Sequence, residues 1–166
     1  MRRQRPNIPA RKTVYKGITM RSRLEADYAS ALDRDGQLWK YEPECFAGPN
    51  GQWLPDFRID DRTYVELKPA YLIEWDTREL DDVYDRVDAI LRQMSVVWLS
   101  KPEAHLQLVF WSYGLDQVQA PLTVAGSSNG PIWHTYTPST MDVPLLWPGM
   151  GQTDAVAEMR VREQES

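Results

Sequence analysis

The sequence is poor in the residues that form cross-links or bind soft metals. It has one cysteine, Cys45, and two histidines, His105 and His134, which lie far apart in unrelated contexts. A single cysteine cannot form an internal disulfide or build a four-cysteine zinc or iron–sulfur site alone. The chain is therefore expected to have no disulfide partner, and a histidine-based metal site is not expected.

Long apolar runs are also missing. No stretch approaches the roughly 20 apolar residues that a membrane-spanning helix needs, and the basic N-terminus lacks the apolar segment of a secretory signal. The 166 residues are 42% apolar and include seven tryptophans, enough for one domain with a sizeable core. We expect no membrane partner and a reducing cytoplasm as the location.

Acidic residues are absent from the first part of the chain. Residues 1–24 contain eight Lys or Arg and no acid, whereas the remainder carries 11 basic and 24 acidic residues. Residues 1–17, with two prolines, are predicted to form an extended or irregular basic arm. The acidic body should repel nucleic acid, whereas the basic residues can neutralise phosphates. Two hypotheses stay open, an arm that follows DNA and a solubilising tail. The basic residues are Arg2, Arg3, Arg5, Arg11, Lys12, Lys16, Arg21 and Arg23.

Two short runs, residues 53–59 and 64–68, have the apolar, aromatic and β-branched composition of strands. A turn at Asp60 and Asp61 joins them, which predicts a β-hairpin. Because side chains alternate along a strand, Glu66 and Lys68 project to the same face. With suitable register, Asp56 on the first strand lies beside Glu66.

Paired carboxylates on buried strands require compensation. At about 4.5 Å and an effective dielectric near 20, two carboxylates repel by roughly 3–4 kcal/mol, so the pair should take up a proton or a cation. Their hard oxygen atoms suit Mg²⁺ or Mn²⁺, and Lys68 is a positive partner for a water or a phosphate oxygen. The alternative is a surface hairpin with two acids and an ion-paired lysine.

The other elements are predicted from the spacing of apolar residues and from the capping and turn residues at their ends. A helix capped by Thr19 or Ser22 ends at Asp35-Gly36, and its Glu25 either caps the helix or faces the sheet. Residues 38–41 form a strand, and a second helix, capped by Asp76 or Thr77, runs to about Met94. Residues 96–99 and 106–111 are predicted to be strands, the first of them central. Residues 113–166 are expected to be loop-rich, with a strand at 132–136 and a short helix at 154–161.

Pro55-Asp56, followed after nine residues by Glu66-Leu67-Lys68, resembles the signature of the PD-(D/E)XK nuclease superfamily. Residues 20–25 look like the first core helix of that superfamily. Residues 41–44, followed by Leu54-Pro55-Asp56-Phe57, are similar to phage and TnsA-like transposon endonucleases.

The resemblance implies an α/β fold with a restriction-endonuclease-like αβββαβ core over residues 18–112. This core has a mixed central sheet flanked by helices, with the basic arm at 1–17 and a C-terminal extension at 113–166 packed on it. The implied catalytic residues are Glu25, Asp56, Glu66 and Lys68. The implied ligands of Mg²⁺ or Mn²⁺ are Asp56, Glu66 and the backbone carbonyl of Leu67, with Glu25 acting through water or at a second metal site.

The function implied is a metal-dependent deoxyribonuclease, an endonuclease in phage or mobile-element DNA processing. The chain has one such site, so cutting both strands of DNA would need a homodimer or two encounters. Two other classes remain open: a nucleic-acid-binding protein that does not cleave, and a structural or assembly protein.

Overall fold

A computed structural model describes residues 10–49, 51–73, 80–116, 122–127 and 132–136. The described strands are β1 Thr13–Tyr15, β2 Ile18–Met20, β3 Trp39–Tyr41, β4 Phe46–Gly48, β5 Gly51–Trp53, β6 Phe57–Ile59, β7 Thr63–Pro69, β8 His105–Trp111, β9 Leu122–Ser127 and β10 Ile132–Tyr136. The described helices are α1 Arg23–Arg34, α2 Leu80–Met94, the single turn α3 Val97–Ser100 and a 3-10 turn, Ala70–Ile73. No helix in these ranges has the length and apolar content needed to cross a membrane.

Six strands form the main sheet, in the order β10-β9-β8-β7-β6-β3. Among the described strands, only β7 and β8 run parallel, and α2 and α3 lie in the connection between them because parallel neighbours need a crossover. The predicted mixed α/β architecture is thus confirmed. Strands β3 and β6 pair antiparallel, as do β6 and β7.

The two longer helices cover opposite faces of the sheet. The face of α1 packs on Phe57, Val65 and Trp111, while α2 packs on alternate residues of the same strands, including Tyr64 and Leu108. Such alternation is what a strand buried on both sides requires. Strand β7 is therefore held by helices on both faces, so residues near its end keep fixed positions.

The N-terminus of α1 forms as the sequence predicts. Ser22 is the N-cap, and its Oγ accepts a hydrogen bond from the Glu25 amide at 3.2 Å. The buried Tyr28 ring meets Phe57 and Trp111 edge-on, with ring centroids 5.2 and 5.0 Å apart. This packing fixes the rotation of α1 and hence the direction in which Glu25 points.

Two short hairpins accompany the sheet. Strands β1 and β2 form a hairpin whose turn is Lys16 and Gly17. The described part of the predicted arm, residues 10–17, therefore contains a strand and a turn. Strands β4 and β5 pair antiparallel, with Gly48 opposite Gly51. Gly51 has φ +124°, a conformation that favours glycine. The second hairpin delivers Trp53 to the core beneath the candidate site.

The predicted strand at residues 96–99 is wrong. Residues Val97–Ser100 form α3, a helical turn closed by a hydrogen bond from the Lys101 amide to the Val97 carbonyl at 2.8 Å. Four consecutive apolar residues are compatible with a strand or with a helical turn. In the structure Leu99 is 71% exposed, whereas a central strand would bury its side chains. The parallel neighbour of β7 is β8, predicted as 106–111.

The C-terminal region contributes more strand than expected. Strand β10 confirms the prediction at 132–136, but β9 was expected to be loop. Leu122 and Val124 alternate into the core, the period-2 signal of a strand, although it is short and lies among Gly and Pro residues. The predicted helix at 154–161, the caps Asp76 and Thr77, and Arg2, Arg3 and Arg5 lie outside the described residues.

Candidate functional site

The β6–β7 hairpin brings Asp56 and Glu66 to facing positions. Phe57 pairs with Val65, and the Asp56 amide donates to the Val65 carbonyl at 3.0 Å, which aligns Asp56 with Glu66 across the ladder. The turn of residues 60–62 sets this register, because moving it by one residue would exchange the buried and exposed faces of both strands. The hairpin that the sequence predicted thus juxtaposes the two acids.

Asp56 is a buried carboxylate, 3% exposed, with a donor on each oxygen. Its Oδ2 accepts from the Leu67 amide at 2.7 Å, and its Oδ1 from Arg21 Nη2 at 2.6 Å. Burial, followed by the nearby charge of Glu66, raises the pKa of Asp56 to about 8, although the Leu67 amide and Arg21 oppose the shift. The ionised group is therefore costly at this position unless further positive charge approaches.

Glu66 also has a donor on each oxygen. Lys68 Nζ lies 3.0 Å from Oε1, and Trp53 Nε1 donates to Oε2 at 2.8 Å. The indole of Trp53 is buried and stacked on Phe46, so it is a rigid donor. Glu66 and Lys68 lie on the same face of β7, as predicted, and Trp53 fixes the direction of the carboxylate.

Glu25 enters the cluster from α1 and is 8% exposed. Its Oε2 accepts from the Tyr41 hydroxyl at 2.7 Å and from the Arg21 amide at 2.9 Å. The side chain therefore reaches across to Tyr41 on β3 and back to Arg21, the residue before the N-cap Ser22. Its charge is among those that raise the pKa of Asp56.

Arg21 connects the acids to one another. In addition to its contact with Asp56, its Nε lies 2.8 Å from Glu42 Oε1 and 3.8 Å from Glu25 Oε1. Glu42 has φ +42°, in the left-handed region, and its amide donates to the Asp56 carbonyl at 2.9 Å. A non-glycine residue in this conformation is uncommon and often lies at a functional site.

The donor chemistry fits a divalent cation, but the present arrangement is not a preformed cage. Within the described ranges, no group of three or more His, Cys, Asp or Glu side chains is arranged to hold a metal ion. Arg21 and Lys68 contact the oxygens instead. Among the described residues, the four carboxylates Glu25, Glu42, Asp56 and Glu66 have these two cations as partners, so the ionised cluster there carries an excess of two negative charges. One divalent ion would neutralise that excess.

The described members of the predicted nucleic-acid-binding set differ in what they contact. Lys16 pairs with Asp33 at 2.8 Å, and Arg21 pairs with the acids described above. The Arg23 guanidinium lies over the Tyr113 ring, 5.6 Å from its centroid. Arg11 and Lys12 are exposed beside the first hairpin.

Sequence reasoning did not find three contributors to the site. Trp53 and Tyr41 were not assigned, and Arg21 was assigned to DNA rather than to the acids. Tyr41 pairs with Phe57 in the sheet, so its place beside Asp56 follows from the strand order. The position of Trp53 depends on the β4–β5 hairpin, which packs against α2, and residue spacing alone carries no signal for that packing.

Comparisons of the chain with protein-family models, with curated proteins and with solved structures found no match.

Proposed function

We propose that the chain is a Mg²⁺- or Mn²⁺-dependent deoxyribonuclease with a restriction-endonuclease-like core, acting as an endonuclease in phage or mobile-element DNA processing. The element order supports this: α1, then β3, β6 and β7, then a crossover through α2 to β8, agrees with the αβββαβ pattern that the motif implies.

The juxtaposition of Asp56 and Glu66 is the observation that carries the proposal. Lys68 lies on the same side as Glu66, and Glu25 arrives from the helix that precedes the hairpin. A surface hairpin would expose these acids, whereas Asp56 and Glu25 are buried. Isolated surface ion pairs contribute little stability. Ion pairing of that kind therefore does not explain why two carboxylates are buried next to each other.

Each residue has a role that follows from its position. Asp56, Glu66 and the Leu67 carbonyl would hold the cation, and Glu25, at the edge of the cluster, would accept a hydrogen bond from water or contribute at a second metal site. When bound, the cation supplies Lewis acidity toward the phosphate and lowers the pKa of water. Lys68 would orient the attacking water and offset the negative charge that develops on the phosphate.

A plasmid-nicking assay with Mn²⁺ tests the proposal. Asp56→Ala and Lys68→Ala should each lower the nicking rate by about 100-fold or more, the usual cost of removing one catalytic group. Asp61→Ala, at an exposed position in the turn of the same hairpin, is the matched control and should nick like the wild type. If Asp56→Ala nicked the plasmid as fast as the wild type, the cleavage would be attributed to a contaminant.

A second candidate is a protein that keeps this fold without cleaving. The observation that favours it is that Asp56, Glu66 and Glu25 all have protein donors already. No cleavage of any DNA substrate together with retained DNA binding would favour a nucleic-acid-binding protein. No binding even at low salt would favour a structural or assembly role.

A further inference from the structure

We infer that Arg21 is a built-in competitor of the divalent cation: its guanidinium neutralises Asp56 in the metal-free protein and must release that carboxylate when a metal binds. This inference rests on the proposed function and deepens it, because it assigns to one residue the control of metal occupancy.

The contacts of Arg21 are those of a resident cation. One guanidinium lies against three acids, with Nη2 2.6 Å from Asp56 and Nε 2.8 Å from Glu42 and 3.8 Å from Glu25. The Asp56 oxygen that Arg21 occupies, Oδ1, is the one that does not accept from the Leu67 amide. A metal ligated by Asp56 would need this same oxygen, and the two positive charges would repel each other if both stayed.

Release of Asp56 does not require the fold to open. The Arg21 side chain is 55% exposed, and its backbone amide is held separately by Glu25 and Tyr41. Its Nε contact with Glu42 provides a tether that survives if Nη2 leaves Asp56. The guanidinium can therefore turn toward solvent, or toward a phosphate, while the start of α1 stays in place.

Two neighbouring arginines provide a matched pair of variants. Arg21→Gln removes the proposed competitor. Arg23→Gln removes the same charge two residues away, where the guanidinium lies over Tyr113 instead of against the acids. Both variants change net charge equally, so long-range electrostatics cannot separate them. Arg21→Lys keeps the charge but loses the planar fork that contacts two carboxylates together.

The experiment is a calorimetric titration of each full-length variant with Mn²⁺ at one alkaline pH, the same for all variants, without DNA. Circular dichroism melting first establishes that each variant is folded. Arg21→Gln should bind Mn²⁺ about tenfold more tightly than the wild type, a difference of about 1.4 kcal/mol. Arg23→Gln should stay within about twofold of the wild type, and Arg21→Lys should lie between wild type and Arg21→Gln.

The opposite results would overturn the inference in distinguishable ways. Equal or weaker Mn²⁺ binding by folded Arg21→Gln would make Arg21 a positioning residue for Asp56, and the nuclease proposal would stand if Mn²⁺-dependent nicking is retained by the wild type. Absence of Mn²⁺ binding in all variants, together with intact plasmid, would remove both the inference and the proposed function.

Discussion

Asp33 and Asp56 each accept hydrogen bonds from a positively charged side chain, yet the pKa values of the two carboxyl groups move in opposite directions. Asp33 takes donors from Lys16 at 2.8 Å, Tyr15 at 2.5 Å and Trp39 at 2.9 Å. These donors, Lys16 first, lower its pKa to about 2. Burial and neighbouring acids raise the pKa of Asp56 to about 8 despite its two donors.

The difference lies in the balance of acids and donors. Asp33 is one carboxylate among three donors, and it joins the β1–β2 turn and β3 to the last turn of α1. Asp56 shares its Arg21 donor with Glu25 and Glu42, and the charge of Glu66 lies close to it. A satisfied acid stabilises the fold, whereas crowded acids lower stability unless a cation arrives. The comparison therefore separates a structural cluster from a candidate catalytic one.

The largest expected effect is a loss of folding stability when Asp33 is replaced, which tests the structural role of this acid. Asp33→Asn should lower the free energy of unfolding by about 1–2 kcal/mol near neutral pH, because charge-assisted hydrogen bonds are lost. A lowered pKa gives stability that is present above the unfolded value of about 4 and is lost as pH falls through about 2. The difference between wild type and variant in urea unfolding should therefore shrink at acid pH.

The same variant should leave nicking by the protein unchanged at a temperature where it is folded. A difference in unfolding free energy that stayed constant down to about pH 2 would contradict the role given to Asp33. A loss of nicking in the folded variant would remove the distinction between the two clusters.

A smaller effect is expected from Mg²⁺ and pH together. The raised pKa of Asp56 means that its contribution to stability is full below about pH 4 and is lost as pH rises through about 8. Mg²⁺ should offset that loss, so the Mg²⁺-dependent rise in melting temperature should be several degrees larger above the pKa than about two pH units below it. Asp33→Asn should show the same rise, and Glu66→Gln should show little.

A rise that is equal on both sides of the pKa would mean that Mg²⁺ does not compete with a proton at Asp56. The measurement is a thermal melt followed by circular dichroism, with and without Mg²⁺, at matched ionic strength.

The smallest effect concerns the basic segment before the first hairpin. Removing all of residues 1–17 would also remove Tyr15 and Lys16, which contact Asp33. A shorter deletion avoids that loss. Removing residues 1–10 takes away Arg2, Arg3 and Arg5 and should flatten the slope of log K against log salt for DNA binding by about 2–3. An unchanged slope would favour the solubilising tail over the DNA-following arm.

The sequence predicted the features that local patterns determine. The turn at Asp60-Asp61 fixed the register of β6 and β7, and with it the pairing of Asp56 and Glu66. Ser22 fixed the start of α1. Neither depends on distant parts of the chain, which is why alternation, turn and capping signals were sufficient.

The features that the sequence did not predict depend on tertiary contacts. Four apolar residues at 96–99 carry no periodicity that separates a strand from a helical turn, and the crossover decides the outcome. A basic residue near the motif can bind either a phosphate or a carboxylate. The position of α1 over the sheet is what brings Arg21 against the acids. Trp53 required the β4–β5 hairpin to be docked.

Strand β8 has a consequence for when the candidate site becomes ordered as the chain is synthesised. Leu108 pairs with Glu66 but follows it by 42 residues, and β8 separates β7 from β9. A nascent chain that has not yet released β8 from the ribosome carries Glu66 and Lys68 on β7, a strand that then has one open edge. Until β8 has emerged, β7 lacks one of its two neighbours, so Asp56 and Glu66 should reach fixed positions only after β8 has paired.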